Sequence, residues 1–524
     1  MLKGIRPATA PCRSPIACIE MHSSGVRLLM SALALILLGL IVLFIAPKTA
    51  LAQSLSEVPA DEIMAKMKLG LPVEYDHVIV KGNLTSERLG LTAKQILRIP
   101  FEVEMQPSDE PMLANSSIVI KNSIIDGRVD FNNTVFHKQL SFENTFFVEN
   151  ASFRYSTFDG DASFAHCMFN GTGSFSGSQF NGKANFLQTY FNGPAFFINS
   201  QFNNVADFYH AQFCSVASLR GAIFKGAVVF TGSQFCDYAE FAYSQFAADA
   251  TFGEALFGEA ANFMGSQFSQ VAEFNNTQFK KEISFEGAHF AGSARFLKPI
   301  FNDTADFVYA QFDKEAYFGQ AQFIGPAFFA RAKFNDLVEF AECNFLAGAT
   351  FRQSDFRIDA TFNNSEFHGP ADFAAGNFLG FADFGGSQFN NDTDFSNASF
   401  NGPADFSRST FSEMVNLQET RFKKNVYFES SKINALNLKE TRYEWLFLHW
   451  SSINHLEFDD TAYQTLIKNY NRLQWLQDSS DCNSTYLGAM QAEASRGPSW
   501  IINAMGSILT GANSRVNSSI IGSN

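Results

Sequence analysis

Basic charge is scarce in this 524-residue chain: 38 Lys and Arg stand against 52 Asp and Glu, for a formal net charge of −14. That balance excludes a nucleic-acid binder that works by neutralising phosphates. Charged residues make up only 17% and hydrophobic residues 46%, which excludes long disorder. Of 7 Cys, 5 lie beyond residue 52 (Cys167, Cys214, Cys236, Cys343 and Cys482), an odd and scattered set that is no disulfide framework. No CxxC pair or His/Cys cluster has zinc spacing, so neither a metal nor another cofactor is expected. The 9 His, among them His137, His166, His210, His289 and His368, never fall with Ser and Asp in a register that suggests a triad, and no enzyme is expected. Trp numbers 4 and Tyr 13, yet Phe numbers 61, a bias foreign to a mixture of ordinary globular domains.

Residues 1–52 read as a leader. Arg27 precedes an apolar run from Leu28 to Ala46, broken only by Ser31 and Gly39, and Ala50-Leu51-Ala52 forms a small-x-small cleavage site before Gln53. The sequence therefore predicts a signal peptide cleaved after Ala52, with an uncleaved membrane anchor through Leu28–Ala46 as the alternative. Either way the chain is expected outside the cytoplasm, at the membrane, in a periplasm or on the cell surface. Without residues 1–52, which hold five basic residues and one acid, the balance is 33 to 51, a net of −18.

Phe recurs at alternating intervals of five and six. One track runs by 11 from Phe131 and Phe142 through Phe186, Phe208, Phe263 and Phe373 to Phe428, with 26 Phe in 28 positions; Leu219 and Leu417 are the exceptions. The second runs by 11 from Phe136 through Phe180, Phe202 and Phe235 to Ile433, with 27 Phe in 28 positions. A fixed period without insertion over some 300 residues predicts a solenoid. Two residues before a first-track Phe the residue is mostly Ala. Two before a second-track Phe it is always small, as in Thr134, Ser156, Cys167, Ser178, Ala211, Pro299 and Cys343. Positions i and i−2 of an extended backbone point to one side, so each pair fills the interior with one large and one small group.

Units such as Ala184-Asn185-Phe186, Ala206-Asp207-Phe208 and Ala371-Asp372-Phe373 resemble the pentapeptide-repeat family, with Phe in place of its central Leu. The resemblance covers about 120–458 and implies a right-handed, four-sided parallel β-helix, to which the flanking residues add short helical caps at both ends. Every second unit here carries an extra residue beside turn chemistry, as in Asn181-Gly182 and Asn192-Gly193-Pro194, which suits a widened corner. Four units then make a 22-residue coil, and 120–433 makes about 14 coils. An 11-residue, two-sided coil is the alternative. From Ile433 through Leu438, Tyr443, Leu448 and Ile453 to Phe458 the spacing is strictly five.

The expected organisation is a leader over 1–52, an N-terminal cap of a short helix and strands over 53–119, the β-helix over 120–458, a helical cap over 459–495 and a tail over 496–524. Pro59–Leu69 reads as the first cap's helix, Val73–Lys81 as a strand, and Tyr463, Leu466, Ile467, Tyr470, Leu473 and Leu476 as one apolar stripe laid on the last coil. These flanks resemble the caps of bacterial membrane pentapeptide-repeat proteins, some of which continue into a channel-like pore segment. No such segment and no TVGYG-like filter follows here, so the end also fits a remnant lacking its pore.

Three features hold candidate chemistry. Cys214 and Cys236, 22 apart, fall on neighbouring rungs as stacked thiols or a disulfide. Asp372, Asp383, Asp394 and Asp405 recur at 11 before Phe and predict two acidic ladders on different faces, able to take a cation, or else side chains bonded to the turn backbone. Gln179 and Gln201, like other pairs 22 apart, are expected to hydrogen-bond up the stack. With no long insertion between 120 and 458 there is no groove for catalysis. The reading is a non-enzymatic scaffold for a protein partner. A DNA-mimic inhibitor, which the resemblance and the acidic balance also suggest, conflicts with export.

Overall fold

The computed structural model describes residues 55–86 and 111–495, the last five by backbone alone. The expected leader, its cleavage site at Ala52 and the tail 496–524 lie outside the described residues.

Each first-track unit places a two-residue strand before its Phe, and each second-track unit a strand ending on its Phe. One coil runs Ala184–Asn185, Tyr190–Phe191, Ala195–Phe196 and Gln201–Phe202 before the next begins at Ala206–Asp207. These four strands define faces one to four, in that order. Pairing is parallel at 22 residues, as in Ala184↔Ala206 and Phe180↔Phe202, which settles the four-sided coil over the two-sided one. Face one is a sheet of 17 strands and face four one of 15, while faces two and three share a sheet of 32. The solenoid therefore has about 17 turns, more than the 14 read over 120–433, because Val73–Asp76 before that stretch and Leu446–Phe447 after it are also rungs of face one.

The two corner types have different causes. Faces one and two, and faces three and four, join through tight turns in which the residue three on donates back to the first-track Phe carbonyl, as Thr189 N–H to Phe186 at 3.1 Å. The third residue of each has positive φ, 50° at Gln188 and 68° at Gly177, which marks a type II turn. The extra residue of every second unit falls at the other two corners. There the chain bends without such a bond, and some positions admit only glycine for lack of room: a Cβ on Gly193 would lie 2.5 Å from the Gly171 carbonyl oxygen one rung away.

All the Phe positions of both tracks are buried. Rings 22 residues apart stack at the strand spacing, 4.9 Å for Phe186 on Phe208 and 4.7 Å for Phe180 on Phe202. Rings of successive first-track units meet edge to face, Phe186 and Phe197 at 5.2 Å. The interior is four columns of stacked phenyl groups bound to one another by T-shaped contacts. The small slots complete it in a way their size alone does not reveal. Their hydroxyls donate to the first-track Phe carbonyl of the preceding coil, as Ser178 to Phe153 at 2.7 Å and Ser233 to Phe208 at 2.7 Å. Cys343 repeats this with sulfur, 3.0 Å from the Phe318 oxygen, and Cys167 does so toward Phe142. Burial pushes both thiols well above the usual range.

Helix α1 (Ala60–Lys68) closes the N-terminal end with Ile63, Met64 and Met67 buried against the first rungs. The reading of Val73–Lys81 as one strand gives way to two, Val73–Asp76 and Val78–Lys81, because His77 occupies the positive-φ turn position at 56°. Pairs such as Val73↔Ile118 and Leu84↔Val129 lie 45 apart, so 23 extra residues enter between Thr85 and Met112, outside the periodic stretch. At the other end the coil shortens to 20 residues, Val426↔Leu446 and Ile433↔Ile453, as the strict fives imply. Helices α2 (Asp460–Leu473) and α3 (Leu476–Ser495) follow, the first capped by Asp459, whose carboxylate accepts the Ala462 N–H at 2.9 Å. Tyr463, Leu466 and Tyr470 are buried against the last coil, but Leu476 is 72% exposed, because α2 ends at Gln474 in a left-handed cap and Leu476 opens α3.

Candidate functional site

The outward residues of a rod with a sealed core are what it can offer another molecule. Most are small or polar and are spent on the rod itself. Asp372, Asp383, Asp394 and Asp405 each accept the backbone N–H two residues on, at 2.8–2.9 Å. The turn-bonded reading of this slot is therefore what the geometry displays. Asp372 and Asp394 are neighbours on face three, and Asp383 and Asp405 on face one. Arg352 lies across the first pair, 2.9 Å from Asp372 and 3.8 Å from Asp394. The second pair has no such bridge. Burial, with the Asp405 charge behind it, raises the Asp383 carboxyl above its usual range, against the pull of the Gly385 N–H. Among the described residues no group of three or more His, Cys, Asp or Glu could hold a metal ion.

A raised folded-state pKa favours the fold at low pH, and that contribution is lost as pH rises through the folded value. Asp383→Asn keeps the acceptor for Gly385 and removes the charge. It should raise the melting temperature slightly at pH 7, by a few tenths of a kcal/mol in stability. The gain should vanish as pH falls below the carboxylate range. An equal gain at pH 3 and pH 7 in a thermal melt would refute this account.

Cys214 and Cys236 follow the paired strands Gln212–Phe213 and Gln234–Phe235 on adjacent rungs, and no disulfide joins them. The Gln ladder takes another form. Gln179 and Gln201 turn sideways to Asn181 and Asn203, at 2.8 and 2.6 Å, and it is Asn203 that donates up the stack to Asn181, at 2.7 Å. His137 and His289 pair singly with Asp159 and Asp313.

Large apolar residues interrupt this polar dress at scattered places, among them Tyr243, Tyr309, Ile324 and Phe328, and in one column they follow one another without a break. Down face two the outward residues of four successive rungs are Ile124, Phe146, Met168 and Tyr190, all half-buried. Half-buried Val148, Leu187 and Phe196 flank them. Farther along the same column stand Gln212 and Gln234. The Phe periodicity masked this run in the sequence; comparing residues 22 apart outside the Phe tracks would have found it. Two depressions also mark the surface. One, half-open on face one, is lined by Lys121, Ser141, Glu143, Asp161 and Lys183. The other lies at the C-terminal end beside Phe458 and Tyr463.

The profile of the family described as pentapeptide repeats (9 copies) matches residues 120–168, 252–298, 285–333, 329–377, 384–432 and 395–442. No curated protein and no solved structure matches the chain. The matched segments fold into four-sided coils that continue through the unmatched 169–251, most units set by a small or β-branched residue, often Ala, two residues before a buried Phe, and on that ground the chain is a pentapeptide-repeat protein.

Proposed function

We propose that the chain is a non-enzymatic scaffold that works outside the cytoplasm and presents its N-terminal rungs to a protein partner. The observation that carries this reading is the uncharged run Ile124, Phe146, Met168 and Tyr190, four successive rungs of one column on face two, beside Phe196. A contiguous apolar patch on a soluble surface marks a contact site, and a flat face suits a protein surface better than a small substrate. Export rests on the Arg27, Leu28–Ala46 and Ala50-Leu51-Ala52 pattern. Among the described residues no helix is long and apolar enough to cross a membrane, so a tether falls to Leu28–Ala46. The DNA-mimic reading draws on the resemblance and the acidic balance; it conflicts with export, and Arg352 already offsets one acidic ladder.

Mass spectrometry of the chain from separated soluble and membrane fractions tests the compartment. A terminus at Gln53 in the soluble extracytoplasmic fraction marks a released scaffold, and an intact Leu28–Ala46 in the membrane fraction a tethered one. A full-length chain in the cytoplasm overturns export. Cross-linking in the same fractions should map partner contacts to 124–198, and Met168→Gln with Tyr190→Gln should reduce them about tenfold with the melting temperature unchanged. Contacts confined to the acidic faces would defeat the patch assignment.

A further inference from the structure

The corner between faces three and four carries a second uncommitted surface. Down this column the positive-φ turn position is filled by Tyr243, Gly265, Gly287 and Tyr309, at φ 60°, 63°, 61° and 59°. Glycine takes that conformation freely, whereas a bulky side chain takes it at a cost to the backbone. The rod thus keeps two tyrosines where glycine is easier, and neither serves the core: Tyr243 is 53% and Tyr309 51% exposed. The Tyr243 ring lies over Gly265, where a Cβ would come within 2.8 Å of it, while a Cβ on Gly287 would meet nothing within 4 Å. Tyr243 and Tyr309 are three rungs apart, roughly 14 Å at the strand spacing, so two exposed rings flank an open step. Arg220 stands 5.7 Å from the centre of the Tyr243 ring and Arg331 5.4 Å from that of Tyr309, and Arg331 also donates to the Tyr309 hydroxyl. These contacts hold both rings in place.

Beside the rings, on face four, Gln245, Gln267 and His289 follow one another on paired rungs. Earlier in this column Gln179 and Gln201 bond sideways to Asn181 and Asn203. Two residues after Gln245 and Gln267 stand Ala247 and Ser269 instead, and the two exposed amides bond to no described residue. We propose that this corner binds a neutral glycan chain laid along the rod. A pyranose has an apolar face of C–H bonds, which settles on an aromatic ring, and a rim of hydroxyls, which both give and take hydrogen bonds. Tyr243 and Tyr309 supply the platforms, and the Gln245 and Gln267 amides, each donor and acceptor, meet the rim. Glu286 precedes Gly287 in the turn and sets a negative charge beside the open step, which disfavours an anionic glycan. The separation of the rings requires a chain rather than a single sugar. The site is separate from the face-two patch, so either can fail without the other.

Titration calorimetry of the protein with glucose and N-acetylglucosamine oligomers, from monomer to hexamer, tests this. In at least one series affinity should rise about tenfold or more from monomer to hexamer, as the ligand comes to reach both rings. Tyr243→Gly with Tyr309→Gly should weaken hexamer binding about tenfold, with the melting temperature unchanged or raised, because glycine is at ease at positive φ. Gln245→Leu with Gln267→Leu should weaken it about fivefold. No binding of either hexamer, or binding that the glycine variant retains, overturns the proposal. So does a protein that cross-links to 243–311 and is lost in the glycine variant, which would give the corner to a polypeptide.

Discussion

Phe263→Ala should destabilise the rod by about 3–5 kcal/mol, the cost of a cavity where a buried phenyl group stood. Phe263 is fully buried, stacked 4.5 Å from Phe241 and 5.0 Å from Phe285, with Phe252 and Phe274 edge-on at 5.3 and 5.6 Å. Those neighbours are themselves fixed by rungs above and below, so they cannot collapse into the space. Leucine at the same place should cost only about 1–2 kcal/mol, because it keeps most of the volume and forfeits the ring contacts. The molecule already tolerates that exchange: Leu219 stands in the same column, one rung before Phe241, and is fully buried. A lesion in the middle of a solenoid also breaks the coupling between its halves. Denaturant unfolding of the alanine variant should therefore separate into two transitions where the leucine variant keeps one. If alanine and leucine cost the same, the stacked columns are not what sets the stability of the rod.

The Phe tracks and small slots made the four-sided coil legible, because both repeat at every rung and each encodes only which side a residue faces. The shortened final coils were legible for the same reason, in the strict fives from Ile433. What escaped the sequence lies between rungs rather than along the chain. The small slot read as a size rule, yet Ser178 and Ser233 are there to donate to a carbonyl 25 residues earlier, an offset no local pattern displays. The recurrence of Ser and Thr in that slot was the available signal. The Gln pairs were expected to bond to each other, but the Asn two residues on sits closer and takes the bond instead. The face-two patch was hidden because Ile124, Phe146, Met168 and Tyr190 are four different residue types, alike only in being uncharged and largely apolar. The extra 23 residues between Thr85 and Met112 lie where no Phe period exists to be interrupted.

Asn469→Leu should cost about 2–4 kcal/mol, with the loss confined to the C-terminal coils. Asn469 sits on α2, 2% exposed, facing the final strand of face one, Leu446–Phe447. Its Nδ2 donates to the Leu446 carbonyl at 2.7 Å and its Oδ1 accepts the Leu446 N–H at 3.3 Å, so one side-chain amide supplies both bonds that a further rung would have made. Leucine fits the same apolar setting but leaves a buried N–H and a buried C=O unpaired, at about 1–3 kcal/mol for each group before any relaxation. Asp478 does related work beside it, accepting the Trp450 N–H at 2.8 Å, so at Leu446 and Trp450 the rod's last backbone groups are met by side chains from helices rather than by another strand. Asn469→Asp separates packing from bonding. It keeps an acceptor for the Leu446 N–H but sets a carboxylate against the Leu446 carbonyl, and it should be at least as damaging as leucine at pH 7. Because a solenoid's stability is a sum over neighbouring repeats, exchange protection should fall from about Val426 onward while the central coils hold. A uniform loss along the whole rod, or none with leucine, would show that the amide does not act as a rung.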